Sequence, residues 1–115
     1  MLVSDLAPIT DDRVIFSYSK SHEVPEDAGC YVITTLDGTI LYIGQSINIR
    51  SRMRDHLYTK EMTATMPSGE SAYWFYYTLC PIAELNQLEG NWIGDHKLNE
   101  GGKLPPFNDV DPTIY

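Results

Sequence analysis

The chain has 115 residues and a formal net charge of −8, with 16 acidic side chains against 8 lysines and arginines. An apolar content of 43% is typical of a folded protein, and the length suits one domain, so we predict a single domain over residues 1–115. The charge excludes a generally basic nucleic-acid-binding surface, so binding of that kind would depend on a local patch.

The sequence also argues against membrane and secretory classes. No apolar run approaches the ~18 residues of a membrane span, and the N-terminus lacks the pattern of a signal peptide. Cys30 and Cys80 are far apart and form no CxxC pair, which argues against a zinc site or a disulfide framework. We therefore expect a cytoplasmic protein with no membrane partner.

The first clear secondary structure is a β-hairpin. Residues 1–28 are acidic and contain one candidate strand, residues 13–18; β-prone segments then follow at residues 30–35 and 39–43. Asp37-Gly38 between them is a strong signal for a two-residue turn. The sequence thus predicts an antiparallel hairpin that ends at Gly44.

A two-residue turn would fix which residues share a face of the hairpin. Tyr31 would lie opposite Gly44, and Ile33 opposite Tyr42, so both tyrosines would lie on one face, away from the core. A three-residue loop would place the tyrosines on opposite faces. The other face would be apolar and turned to the core, formed by Cys30, Val32, Leu41 and Ile43.

A helix is predicted from about Ile49 to Tyr58, with Ser46 or Asn48 as its N-cap. An apolar residue recurs at every fourth position and forms a buried stripe: Ile49, Met53 and Leu57. Arg52 and His56 are also four apart and flank that stripe. A more exposed basic row completes a local positive strip: Arg50, Arg54 and Lys60.

The remaining elements are a loop, a strand and a second helix. Residues 61–70 are predicted to be a loop, and residues 72–79 a central strand buried on both faces. Pro81 begins a helix that carries Glu89 at the edge of its apolar face. We expect the core side of that helix to comprise Ile82, Leu85, Leu88 and Trp92, with a loop at residues 99–103.

Taken singly, each polar residue in these elements has an ordinary structural explanation, but their combined order resembles the GIY-YIG nuclease family. The resemblance rests on Gly29-Cys30-Tyr31, Tyr42-Ile43-Gly44, the R-x-x-x-H helix, and the segment LEGNWI, which is similar to the Glu-bearing helix of the excision-repair endonuclease. It covers about residues 24–109, so residues 1–23 are interpreted as an N-terminal extension.

The resemblance implies an α+β fold, with a small, mainly antiparallel three-stranded sheet flanked by helices. It also implies a metal-dependent endonuclease, of DNA in preference to RNA, acting in DNA repair or in a mobile element. Glu89 would bind Mg²⁺ or Mn²⁺. Tyr31 would be the general base or would orient the attacking water; as a base it would need a depressed pKa, or water activation shared with Arg52, His56 or the metal. The implied catalytic residues are Tyr31, Tyr42, Arg52, His56 and Asn108; those implied to bind nucleic acid are Gly44, Gln45, Ser46, Arg50, Arg54 and Lys60.

Three departures from the family pattern keep an alternative open. Cys30 replaces the usual Ile or Val, Gln45 stands where many relatives carry Lys, and the interval from Glu89 to Asn108 is longer than in compact relatives. The alternative is a catalytically silent GIY-YIG-like module that binds nucleic acid or protein. In either case, the acidic charge suggests a protein partner that directs the domain to nucleic acid.

Overall fold

A computed structural model describes residues 1–59 and 71–108. In these residues four strands form one sheet, and three α-helices pack around it. The strands are β1 (Asp12–Ile15), β2 (Gly29–Thr34), β3 (Ile40–Ser46) and β4 (Trp74–Leu79); the helices are α1 (Tyr18–Ser21), α2 (Ile49–Leu57) and α3 (Leu85–Asn99). Among the described residues, no helix has the length and apolarity needed to cross a membrane.

The sheet is antiparallel throughout and has the strand order β1-β4-β2-β3. The predicted α+β fold is confirmed, and the sheet gains a fourth strand because the candidate at residues 13–18 forms β1 as Asp12–Ile15. The β-prone run at residues 72–79 becomes the central strand β4, which begins at Trp74. Lys60 and the predicted loop at residues 61–70 lie outside the described residues.

Helices cover the sheet on both faces, so there are two cores. The first core packs against α2 and includes Tyr31, Ile33, Ile49, Met53 and Phe75. The second packs against α3 and includes Cys30, Val32, Ile43, Leu85 and Trp92. The expectation that the tyrosine face points away from the core is therefore wrong, because α2 folds over that face and leaves Tyr31 0% exposed.

The hairpin loop has three residues, not the predicted two. The amide of Thr35 donates to the carbonyl of Thr39 at 3.0 Å, which leaves residues 36–38 as the loop. Gly38 closes it with a φ of +92°, a left-handed conformation that glycine adopts without steric cost. By itself, this loop would place Tyr31 and Tyr42 on opposite faces.

A β-bulge restores the predicted pairing. Thr34 pairs with Ile40 but Ile33 pairs with Tyr42, so Leu41 is an extra residue in β3. Beyond the bulge Tyr31 lies opposite Gly44, as predicted, and the two tyrosines share a face. The extra loop residue shifts the pairing register by one position, and the extra residue in the bulge shifts it back.

The helices differ from their predicted patterns at two positions. Asn48 is the N-cap of α2, its side chain accepting from the Ser51 amide at 3.1 Å, and the last buried position of the helix is His56, not Leu57. Pro81 begins a short 3-10 turn before α3, and Ile82 in that turn is 66% exposed. The tighter winding of the turn moves Ile82 away from the core, so its predicted burial is wrong.

Candidate functional site

A cleft of about 570 Å³ opens at the end of β3, where both helices reach the edge of the sheet. Its walls come from β3 and the loop after it, from α2, and from the start of α3. The lining residues are Tyr42, Gly44, Gln45, Ser46, Ile47, Arg52, Leu85, Asn86 and Glu89. Because β3 is an edge strand, α2 on one face and α3 on the other can both contribute side chains to this cleft.

Behind the cleft wall lies a buried pair, Tyr31 and His56. The Tyr31 hydroxyl is 2.7 Å from Nε2 of His56, and both side chains are buried between α2 and the sheet. Aromatic rings fix the pair: the Tyr31 ring stacks on Tyr42 at 6.0 Å and on Phe75 at 5.0 Å. The ring of His56 lies 4.7 Å from that of Tyr42, so one aromatic cluster links the buried pair to the cleft.

Gly44 separates the buried pair from the cleft. A Cβ at this position would lie 2.6 Å from the Tyr31 hydroxyl oxygen and 2.8 Å from the ring of Tyr42. Real Cβ atoms do not approach other atoms so closely, so glycine is required here to admit the Tyr31 side chain. Gly44 also lines the cleft, so it lies between the Tyr31 hydroxyl and the cleft.

Burial controls the protonation of the pair. Burial, and then the neighbouring Tyr42, raise the pKa of Tyr31 well above its ordinary value, although Arg52 acts in the opposite direction. Burial and the charge of Arg52 lower the pKa of His56 to about 3. At neutral pH the phenol is therefore protonated and the imidazole neutral, so Tyr31 can donate to Nε2 of His56. A general base would need a lowered pKa, whereas in this structure the pKa of Tyr31 is raised.

Arg52 connects the two phenols with the cleft. Burial raises the pKa of Tyr42, and the Arg52 guanidinium partly offsets that rise, as it does at Tyr31. Arg52 also pairs with Asp55 at 3.6 Å across one turn of α2, an exposed contact worth little in water. With 27% of its side chain exposed, the guanidinium remains accessible to an anion in the cleft.

Glu89 approaches the cleft from α3 and is held by an amide. Its Oε1 accepts a hydrogen bond from Nε2 of Gln45 at 3.0 Å, and the same nitrogen donates to Oδ1 of Asn86 at 2.7 Å. Asn86 was not among the sequence candidates, although its position three residues before Glu89 places both on one helix face.

This donor set fits Mg²⁺ or Mn²⁺ bound through one carboxylate. Within residues 1–59 and 71–108 no three His, Cys, Asp or Glu side chains converge as a metal cage. Mg²⁺ is commonly held by one or two carboxylates while it keeps several waters and binds substrate phosphates. Glu89 is the carboxylate on the wall of this cleft that could hold such a cation.

The structure places Arg50 and Arg54 away from the cleft, against the segment around α1. Arg50 donates from Nε to the Val24 carbonyl at 2.7 Å and from a terminal nitrogen to the His22 carbonyl at 3.1 Å. Arg54 donates to Oγ of Ser21 at 2.9 Å and lies over the ring of Tyr18. Both guanidinium groups are thus engaged within the protein.

Asn108 and Ser46 both bond the backbone, Asn108 across the fold and Ser46 within its own turn. Asn108 accepts from the Ile43 amide and donates to the Ile43 carbonyl, both at 2.9 Å, and so pairs with the outer edge of β3 beside Tyr42. The Ser46 hydroxyl bonds both the amide and the carbonyl of Asn48, each at 3.0 Å, in the turn that leads into α2. Asn108 does not line the cleft.

Comparisons with known proteins match the part of the chain that builds this cleft. The family model of the GIY-YIG catalytic domain matches residues 27–101, which include every residue lining the cleft but not Asn108. UvrABC system protein C of Geobacter metallireducens is 31% identical over 74 residues, 64% of this chain and 11% of that protein. The Borrelia turicatae protein of the same name is 40% identical over 43 residues, 37% of this chain and 7% of that protein. This chain therefore spans only a small part of these relatives.

Proposed function

The chain belongs to the GIY-YIG family, and on that premise we propose that it is a metal-dependent endonuclease that hydrolyses phosphodiester bonds in nucleic acid, preferentially in DNA. One observation carries the proposal. Tyr42, Arg52 and Glu89 line a single cleft, and the Tyr31–His56 pair stands directly behind it. Metal-dependent phosphodiester hydrolysis requires charge neutralisation, a ligand for the cation and a route for a proton, and these side chains would serve as all three.

Glu89 would hold Mg²⁺ or Mn²⁺ at the α3 wall of the cleft. When bound, such a cation supplies Lewis acidity, which polarises the phosphoryl oxygens and lowers the pKa of water. Gln45 fixes one carboxylate oxygen of Glu89 by its 3.0 Å hydrogen bond, so the carboxylate keeps a defined direction.

Arg52 would bind a nonbridging oxygen of the scissile phosphate. Its guanidinium lies on the opposite wall from Glu89 and presents several donors in a planar fork that suits phosphate. In other enzymes, removing one donor aimed at the charge that develops in the transition state lowers kcat about 10²–10³-fold. The two phenols beside Arg52 limit where that fork can point.

The proton of the attacking water would leave through Tyr31. The water would sit over Gly44, hydrogen-bonded to Tyr42, which is half-buried on the cleft wall. As Tyr31 takes the water proton, its own proton would pass to Nε2 of His56, 2.7 Å away. Because burial and Arg52 lower the pKa of His56 to about 3, the imidazolium would be transient and would return its proton once the phosphate bond has broken. The raised pKa of Tyr31 rules out a free phenolate at neutral pH, so the two transfers would be concerted.

The acidic surface suggests that the domain works with a targeting partner. The net charge is −8, and Arg50 and Arg54 are engaged within the fold, so among the described residues Arg52 supplies the positive charge that lines the cleft. We expect weak, salt-sensitive binding of nucleic acid by the chain alone. Tight binding to any sequence at physiological salt would contradict this expectation.

The test is a cleavage assay on single-stranded, duplex and branched DNA and on RNA, with Mg²⁺ or Mn²⁺. Arg52→Ala and Glu89→Ala should each abolish cleavage, while Glu84→Ala, which removes an exposed carboxylate outside the cleft, should cleave like the wild type. Cleavage that survives Arg52→Ala and Glu89→Ala would contradict the proposed site.

The second candidate is a catalytically silent module that binds nucleic acid or protein. The raised pKa of Tyr31 and the charge of −8 favour it. The absence of cleavage on every substrate, together with binding to one of them, would select this candidate over the nuclease.

A further inference from the structure

Gln45 forms a bridge across the cleft, from β3 to α3. Its Nε2 donates to Oδ1 of Asn86 at 2.7 Å and to Oε1 of Glu89 at 3.0 Å, which uses both amide hydrogens. Asn86 and Glu89 lie one turn apart on α3, so one nitrogen spans both. No other hydrogen bond from the described residues reaches the Glu89 carboxylate.

The chemistry of the carboxylate fixes the orientation of all three side chains. An ionised carboxylate only accepts hydrogen bonds, so the NH₂ end of Gln45 must face Glu89. The same NH₂ group then requires an acceptor from Asn86, which turns Oδ1 of Asn86 towards Gln45 and its NH₂ group away. The bridge therefore has one arrangement while Glu89 is charged.

We propose that Gln45 is a positioning residue that orients Glu89 for a divalent cation, with Asn86 as the second anchor of its amide. This inference rests on the metal site of the proposed function and deepens it. A neutral donor holds the carboxylate while leaving its full negative charge for the cation.

The bridge also explains how a single carboxylate can serve as an ordered ligand at an open cleft. Glu89 is only partly buried, and a free glutamate there would sample several rotamers. One hydrogen bond to the strand fixes Oε1 and leaves Oε2 for a ligand. Residues that orient a metal ligand in this way commonly change metal affinity about 10–100-fold when they are mutated.

The test measures Mn²⁺ binding to the full chain without nucleic acid, by water-proton relaxation, which detects weak sites. Gln45→Leu keeps the size of the side chain but removes its donor, and it should raise the Kd for Mn²⁺ about tenfold. Gln87→Leu is the matched control, since Gln87 bonds only Asn91 on the exposed side of the same helix. Its Kd should equal that of the wild type.

Further variants separate the two anchors and the role of charge. Asn86→Ala should weaken Mn²⁺ binding less than Gln45→Leu, and the double variant should be no weaker than Gln45→Leu alone, because Asn86 acts through Gln45. Gln45→Lys restores a donor to Glu89 and should therefore bind Mn²⁺ more tightly than Gln45→Leu. Additive effects of Gln45→Leu and Asn86→Ala would overturn the bridge.

Glu89→Gln separates this inference from the proposed function. If Mn²⁺ binding depends on Glu89 while Gln45→Leu binds like the wild type, the inference fails and the metal site stands. If Glu89→Gln binds Mn²⁺ as tightly as the wild type, the metal site of the proposed function fails, and the inference fails with it. Equal unfolding midpoints of wild type and variants exclude a loss of fold as the cause.

Discussion

The arginines of α2 divide into two groups with different surroundings. Arg52 faces the cleft beside two phenols, whereas Arg50 and Arg54 face α1 and donate to backbone carbonyls, a hydroxyl and a histidine ring. Sequence spacing alone makes all three look like one basic strip. The difference teaches that charge on this helix serves two purposes, since one flank holds the N-terminal segment in place and the other is open to an anion.

The largest expected effect is the loss of cleavage rate in Arg52→Lys, which tests the flank of α2 that faces the cleft. Lysine keeps the charge but loses the planar fork that can bind two phosphate oxygens and contact two phenols. We expect the cleavage rate to fall about 100-fold under saturating substrate, with a change of less than about 1 kcal/mol in the free energy of unfolding. Single-turnover kinetics and urea unfolding measure both quantities; a rate within a factor of about three of the wild type would contradict the phosphate role.

Gly44→Ala should disturb the buried pair behind the cleft. The new Cβ would overlap the Tyr31 ring and hydroxyl, so Tyr31 must move from its 2.7 Å contact with His56. We expect a loss of about 2–3 kcal/mol in the free energy of unfolding. Gly94→Ala is the control: a Cβ there meets nothing within 4 Å on α3, so alanine should stabilise the chain by up to about 1 kcal/mol. Equal stability of the two variants would refute the steric argument.

Arg50→Ala tests the structural flank of α2. It leaves the carbonyls of Val24 and His22 without their donor, and Val24 is fully buried, so we expect a loss of about 1–2 kcal/mol in the free energy of unfolding. Cleavage per folded molecule should be unchanged. A large loss of nucleic-acid affinity with unchanged stability would instead place Arg50 at the substrate.

The smallest expected effect is a pH dependence from His56. Its pKa is about 3 in the folded chain and near 6.5 when unfolded, so unfolding takes up a proton between those values. Stability is therefore full above pH 6.5 and declines as the pH falls, by about 1 kcal/mol between pH 7 and pH 5.5. In His56→Gln this decline should be smaller over the same range, as urea unfolding at each pH would record. An equally steep decline in that variant would assign it to other groups.

Much of this architecture could be predicted because local signals and global fold agree. The β-prone run from Cys30 and the four-residue spacing of Ile49 and Met53 correctly placed β2 and α2. The pairing of Tyr31 with Gly44 was also correct, although for an incomplete reason: the sequence carried a turn signal at Asp37-Gly38 but no signal for the bulge at Leu41.

Burial and hydrogen-bond partners were less predictable, because they depend on tertiary contacts. The raised pKa of Tyr31 follows from α2 closing over its face, and no spacing rule reports that. The engagement of Arg50 and Arg54 depends on where residues 18–26 fold, far away in sequence. Asn86 could have been found, since it lies three residues before Glu89 on the same face.

The most direct test of the account compares Arg52→Ala with Arg54→Ala in the same cleavage and unfolding experiments. The account predicts that Arg52→Ala loses cleavage while its free energy of unfolding stays within about 1 kcal/mol of the wild type. Arg54→Ala should lose stability, because Ser21 and His22 lose a partner, yet cleave at the wild-type rate per folded molecule. Cleavage lost equally in both variants, or in neither, would contradict the division of α2 into a catalytic and a structural flank.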